Sequence, residues 1–232
     1  MLNSASYGQF CPVSMAAEIF CNRWTALVMR ELLCGTTRFN DLRRGVPRMS
    51  PSLLSKRLKE LESCGVIQLA STKKGVTEYL LTPAGEDLRP LVMGLGIWGQ
   101  RWVESNLSLK NLDPSLLMWD MRRNLNPKPL PRRQCCIQFS YGDVSTKQQN
   151  WWLLVSAAGI VDLCKDDPGH DIDLLVVGSL RAMTSVWMGI STLKAEVASG
   201  ALNINGEPAI ASAMHQWLGL SPFASEKSRL VG

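Results

Sequence analysis

Within the 45 positions of Thr37–Leu81, this 232-residue chain encodes a short helix, a break, a capped second helix and a hairpin, and no other segment constrains its fold as tightly. Ser50 is a good N-cap, and Pro51 suits the first helical position, where its missing N–H costs nothing. Leu54, Leu58, Leu61 and Cys64 recur at helical spacing and must face the protein, which puts Ser52, Ser55, Lys56 and Lys59 on the opposite side. Gly65 ends this helix. The preceding helix begins at Thr37, buries Phe39 and Leu42, leaves Arg38, Arg43 and Arg44 outside, and is broken by Gly45-Val46-Pro47. Beyond Gly65, Val66–Leu69 and Val76–Leu81 are rich in strand formers and flank a polar Ser71-Thr72-Lys73-Lys74-Gly75 tip.

That order is the layout of a winged helix-turn-helix. A helix with small hydroxyls near its start and lysines further along can enter a major groove and still reach phosphates. Between Arg38 and Lys59 seven cations face a single carboxylate, Asp41, and the whole formal excess of +5 lies in residues 1–110, whereas residues 111–232 are balanced. Polyanion attraction therefore belongs to one half of the chain. The expected contacts to duplex DNA are Arg38, Arg43, Arg48, Ser50, Ser52, Ser55, Lys56, Arg57 and Lys59, joined by Lys73 and Lys74 on the wing. The competing reading of the same charges is an ordinary solvated helix face.

Cys11-Pro12, Arg23-Trp24-Thr25, Arg30-Glu31-Leu32, Arg38 to Arg43, Ser50 to Leu61, Glu78 to Thr82 and Ala84-Gly85 resemble the HxlR-type bacterial transcriptional regulators, a MarR-like group. The similarity spans about the first hundred residues. It implies a dimeric winged helix-turn-helix regulator that works in the cytoplasm. Cys21-Asn22 stands where such proteins usually carry glycines, and the wing reads Lys-Lys-Gly where a proline-containing loop is common; both departures bear on operator preference rather than fold. In several such regulators the cysteine before this proline senses oxidants or electrophiles. Cys11 is thus the redox-sensing candidate, against the plainer reading of a structural thiol. Sensing needs partial exposure and a stabilised thiolate.

Composition narrows the classes further. The 46% hydrophobic content is that of a globular chain long enough for two domains. No apolar run reaches the roughly 20 residues of a membrane span, and the N-terminus lacks the pattern of a signal peptide. Seven cysteines and two histidines show no metal-ligand spacing, so neither a metal nor a cofactor is expected. The adjacent Cys135 and Cys136 should point to opposite faces of a strand. No Ser/His/Asp arrangement and no phosphate-binding glycine loop suggests an enzyme, and His170 reads as a turn residue.

After the wing, Thr82 and Pro83 open a helix expected to run to Asn106, bent at Pro90, with Leu88, Leu91, Val92, Leu95, Trp98 and Trp102 in one apolar stripe. At 1.5 Å per residue it would extend about 36 Å. Its apolar face is assigned to a homodimer interface, shared with Met15, Ala16, Ile19 and Phe20, or alternatively to packing on its own chain. Two-fold pairing would set recognition helices about 34 Å apart, one duplex turn.

Asp113-Pro114 begins another short helix that ends in Asn126-Pro127-Lys128-Pro129-Leu130-Pro131, read as a stiff connector. The expected domains are 1–110, a helical and Pro-rich linker over 111–133, and 134–232. Strands are expected over Gln134–Tyr141, Trp151–Ala157, Ile160–Cys164, Asp171–Val177 and Ala201–Asn205, with helices over Leu180–Met188, Leu193–Ala198 and a last one ending near Leu218. Antiparallel strands followed by helices indicate an α+β layer domain.

Trp187-Met188-Gly189, Ser199 to Leu202, Ile204-Asn205-Gly206 and Trp217-Leu218 resemble the C-terminal half of sterol-carrier-protein domains, which implies a lipid or another hydrophobic small molecule as ligand. Met183, Trp187, Met188, Met214 and Trp217 either line such a cavity or fill it as core. Two functions follow: a ligand-responsive DNA-binding regulator, or a lipid carrier whose N-terminal domain is a dimerisation scaffold.

Overall fold

The computed structural model describes residues 6–72, 75–103 and 112–229, divided between two units, Met1–Gly96 and Ile97–Gly232. The first unit runs α1 (Pro12–Phe20), α2 (Thr25–Leu33), α3 (Phe39–Gly45), α4 (Pro51–Ser63), β1 (Ile67–Ser71), β2 (Thr77–Leu81), α5 (Pro83–Glu86) and into α6 (Arg89–Trp102).

Local signals set the ends of α4. Ser50 Oγ accepts the N–H of Leu53 at 3.3 Å. At the other end Gly65 adopts φ +71°, a left-handed conformation that costs glycine nothing. The Val66 N–H then reaches Leu61 O at 2.9 Å and the Gly65 N–H reaches Glu62 O at 2.9 Å, which satisfies two carbonyls the helix would otherwise leave open. Leu54, Leu58 and Leu61 are buried among Val28, Met29, Leu32 and Leu42. Each contributes about 1.5–3 kcal/mol of apolar burial, and this burial fixes which face of α4 turns outward.

β1 and β2 form the antiparallel wing with Ile67 opposite Leu81. The N–H of Tyr79 donates to Thr37 O at 2.8 Å, which ties the wing to the start of the helix-turn-helix.

The long helix after the wing is shorter than its apolar stripe suggests. Thr82 does cap a helix, accepting from Gly85 N at 3.3 Å, but α5 stops at Glu86 and α6 restarts at Arg89. Pro90 has no N–H for the carbonyl four residues back, so the chain breaks before it and places the proline in the first turn of α6. The 14 residues of α6 span about 21 Å; residues 104–106 of the expected helix lie outside the described residues.

The second unit takes up from within α6 and continues with α7 (Pro114–Asn124), β3 (Cys135–Tyr141), α8 (Thr146–Gln149), β4 (Asn150–Val155), β5 (Val161–Cys164), β6 (Leu174–Gly178), α9 (Leu180–Trp187), α10 (Leu193–Ala198), β7 (Leu202–Gly206), α11 (Pro208–Ser212) and α12 (Met214–Trp217). Its sheet has the order β5-β4-β3-β6-β7. The pairs β3/β4, β4/β5 and β6/β7 are antiparallel, but β3 and β6 are parallel. A β5–β6 connection over residues 165–173 is long enough to carry the chain past β4 and β3.

Alternation along β3 puts Cys135, Ile137, Phe139 and Tyr141 in the core beneath α7, α9 and α12, whereas Cys136 lies on the opposite face. The helix expected as a linker belongs to this core: α7 is capped by Asp113 and buries Leu117, Met118 and Met121, and Leu130 of the proline-rich stretch is buried with them. Prolines suppress helix in that stretch, but they do not prevent it from packing.

Candidate nucleic-acid interface

With Leu54, Leu58 and Leu61 inside, the outward stripe of α4 consists of Ser52, Lys56 and Lys59, with Ser55 half-buried beside them. Lys56 is 71% exposed and stands 4.0 Å from Glu60. Ser50 Oγ also lies 3.2 Å from Ser52 Oγ. Arg43 and Arg48 are exposed on either side of the turn. Arg38 is exposed too, but its guanidinium is 3.5 Å from Glu78 on β2, so it also braces the wing.

Arg57 departs from expectation. Its side chain is only 11% exposed and pairs with Glu60, and its Nη2 donates to Arg23 O at 3.4 Å. Sequence spacing places residue 57 between the two faces of the helix, and the carboxylate one turn further on, together with the carbonyl of Arg23, draws it inward. It holds α4 against the end of α1 rather than facing a ligand. Lys73 and Lys74 lie outside the described residues.

Site residues that charge and periodicity do not single out are Arg30, Glu31 and Gly45. Glu31 is fully buried and paired with Arg30 Nη2 at 2.8 Å; the same nitrogen donates to Gly45 O at 2.9 Å. Glycine leaves the room at position 45 that the Glu31 carboxyl fills. This clamp joins α2 to the end of α3, where the turn into the recognition helix begins. Its sequence signal was the Arg30-Glu31-Leu32 run. Trp24 is the one described non-glycine residue with positive φ, at 78°, and it occupies the N-cap position of α2 without a side-chain capping bond.

The HxlR-like helix-turn-helix family model matches residues 19–107. The uncharacterized HTH-type transcriptional regulator YvaP of Bacillus subtilis (strain 168) is 35% identical over 100 residues, which cover 92% of that protein and 41% of this chain. The chain belongs to the HxlR-like helix-turn-helix family. A second relative, the uncharacterized HTH-type transcriptional regulator YdeP of the same organism, is 32% identical over 94 residues, covering 73% of that protein and 40% of this chain. The solved reduced form of the transcriptional regulator YodB from B. subtilis is 26% identical, with a TM-score of 0.36, covering 93% of that chain and 40% of this one. All three matches cover about two fifths of this chain.

Outside the HxlR-like region, the five residues expected at a ligand divide by depth. Met183, Met214 and Trp217 are fully buried, Trp187 nearly so, and Met188 is half-buried at the edge of the same core. The Trp217 indole N–H is already used by Ile210 O at 2.8 Å. These side chains fill the space between sheet and helices. Cys11 is partly exposed at the N-cap of α1, and its carbonyl accepts Ser14 Oγ at 2.8 Å. Among the described residues no cluster could hold a metal ion, and no helix is long and apolar enough to cross a membrane.

Proposed function

We propose that this chain is a cytoplasmic, dimeric transcriptional regulator that reads duplex operator DNA with α4 and flanks it with the wing. The observation that carries the reading is the sidedness of α4: a capped helix with three leucines buried and Ser52, Lys56 and Lys59 in one outward row. A row of hydroxyl then ammonium groups suits base edges at the helix start and phosphates further along. Family membership and the transcriptional-regulator relatives support the same use.

Dimerisation is part of the proposal. What supports it is apolar surface without cover: Leu91, Leu95 and Trp98 on α6, the last 60% exposed, with Phe10, Val13 and Met15 on and before α1. Exposed apolar side chains of this size on one helix ordinarily mark an interface.

The C-terminal unit is proposed as a sterol-carrier-like sensor for a hydrophobic small molecule, supported by a sheet and helices that share one apolar core. An effector changes operator affinity only if it binds the two DNA-binding states unequally. Oxidation of Cys11 is a separate input, and diamide treatment of wild type against Cys11→Ser tests it.

Fluorescence anisotropy with duplex fragments selected from the source genome tests the main reading. Affinity should fall steeply as salt rises, with a slope that drops by about 0.9 for each phosphate contact removed. Lys56→Ala and Lys59→Ala should each flatten that slope. Salt-independent binding, or none to any selected fragment, would refute the regulator and favour the carrier.

A further inference from the structure

The second unit carries an open groove of about 470 Å³ between its proline-rich segment and the β4–β5 turn. That volume lies within the roughly 300–1,000 Å³ of small-molecule sites. One wall is Pro127, Leu130 and Pro131, and the other is Val155 with Ala157 and Ala158. Two cations, Lys128 and Arg132, complete the lining, which contains no carboxylate. Both are exposed, and no ion pair among the described residues uses either. Arg133 beside them is spent on Asp173 and Glu207.

The turn adds donors. The Gly159 N–H closes it on Ser156 O at 2.9 Å and the Ile160 N–H is held by Ser156 Oγ at 3.1 Å. The N–H groups of Ala157 and Ala158 take no part in these bonds. Peptide N–H groups at the centre of a turn can favour an anion.

We infer that this groove binds a small organic acid: one anionic head, carboxylate in type, between Lys128 and Arg132, and an apolar body along Pro127, Leu130 and Ala158. Charge decides the class. A groove of mixed lining whose only charged side chains are cations rewards a ligand with an acid at one end, and it gives an alcohol or an amine of the same length less. The groove is distinct from the buried Met183, Trp187, Met188, Met214 and Trp217. The effector role of its ligand rests on the regulator reading, but its binding does not.

Isothermal titration of the full chain with monomeric decanoate, decanol and decyltrimethylammonium tests the site without DNA. Decanoate should bind once per chain, ahead of decanol and further ahead of the ammonium. Removing both cations in Lys128→Ser/Arg132→Ser should cost decanoate about tenfold, as two exposed charge pairs would, and should leave decanol unchanged. Ala158→Trp should block both ligands while circular dichroism stays native.

Equal affinity for acid and alcohol in the wild type, or an undiminished double variant, overturns the proposal, as does binding of phosphatidylglycerol vesicles without free decanoate. Operator affinity measured separately keeps the two failures apart. A chain that binds DNA but ignores decanoate sinks only the groove, and one that binds decanoate but no DNA sinks only the regulator.

Discussion

Replacing Gly45 with alanine gives opposite outcomes depending on whether Glu31 is present. By backbone alone the change is favourable: Gly45 is helical in α3 and is not among the positive-φ glycines, so alanine should gain up to about 1 kcal/mol of helix propensity. The added Cβ, however, would stand 2.5 Å from Glu31 Cγ and closer still to its carboxyl group, where ordinary contact is about 3.5–4.0 Å.

Glu31 has no easy retreat, being fully buried and held by Arg30 at 2.8 Å. Overpacking of this kind costs about 1–3 kcal/mol, and forcing the carboxylate off its partner approaches the roughly 3–5 kcal/mol of a broken buried pair. The expected net loss for Gly45→Ala is therefore about 2–3 kcal/mol once the helix gain is subtracted. In a Glu31→Ala background the obstructing atoms are gone, and the same substitution should be neutral or stabilising. The coupling between the two positions should be about 3 kcal/mol, at the upper end for contacting residues.

Because the chain has two units, one unfolding curve does not report on either alone. Native-state hydrogen exchange of the amides over Val28–Leu32 and Leu42–Val46 does. Unchanged or raised protection in Gly45→Ala, or an equal loss with and without Glu31, would refute the clamp.

Arg57→Ala should destabilise the first unit by about 1–2 kcal/mol, since it removes the hydrogen bond to Arg23 O and leaves half-buried Glu60 only the more distant Lys56. It should leave the salt slope of DNA binding unchanged, and native-state hydrogen exchange of the first unit alongside anisotropy separates this from Lys56→Ala. Leu95→Glu should convert dimer to monomer in sedimentation velocity with little loss of protomer stability, because Leu95 is exposed; a monomeric wild type would end the dimer proposal. Burial, reinforced by Asp173 and Asp167, pushes the Cys136 thiol up to about 11 from its ordinary value near 9. The unfolded chain then gives up this proton at lower pH than the folded one, so stability should fall as pH rises from about 9 to 11. A Cys136→Ala variant should flatten that decline in the hydrogen-exchange protection of β3 and β4 amides, and alkylation should reach exposed Cys21 well before Cys136.

How far sequence reads into this structure depends on how local each determinant is. Ser50, Gly65, Thr82 and Asp113 act within four residues, and each ends or begins a helix where its chemistry says it must. Strands rich in β-formers are legible for the same reason. The parallel pairing of β3 with β6 is not, because it depends on where a distant strand is delivered. Nor does residue type tell a lining from a filling: Met183 and Trp217 suit either, and only their neighbours make them core.

The charge count shows the same limit. Seven cations between Arg38 and Lys59 all contribute to the field that draws in a polyanion, but contact requires a side chain free to reach. Arg38 is drawn to Glu78, Arg44 to Asp41 and Arg57 to Glu60. Lys56, 71% exposed though 4.0 Å from Glu60, and Lys59 remain in the outward row, with Arg43 exposed before the turn and Arg48 after it. The proposed interface therefore predicts about three or four phosphate contacts per protomer from these residues, about six to eight for the dimer, and a salt slope of about −5 to −7 rather than the roughly −11 that the net charge of two such segments would suggest.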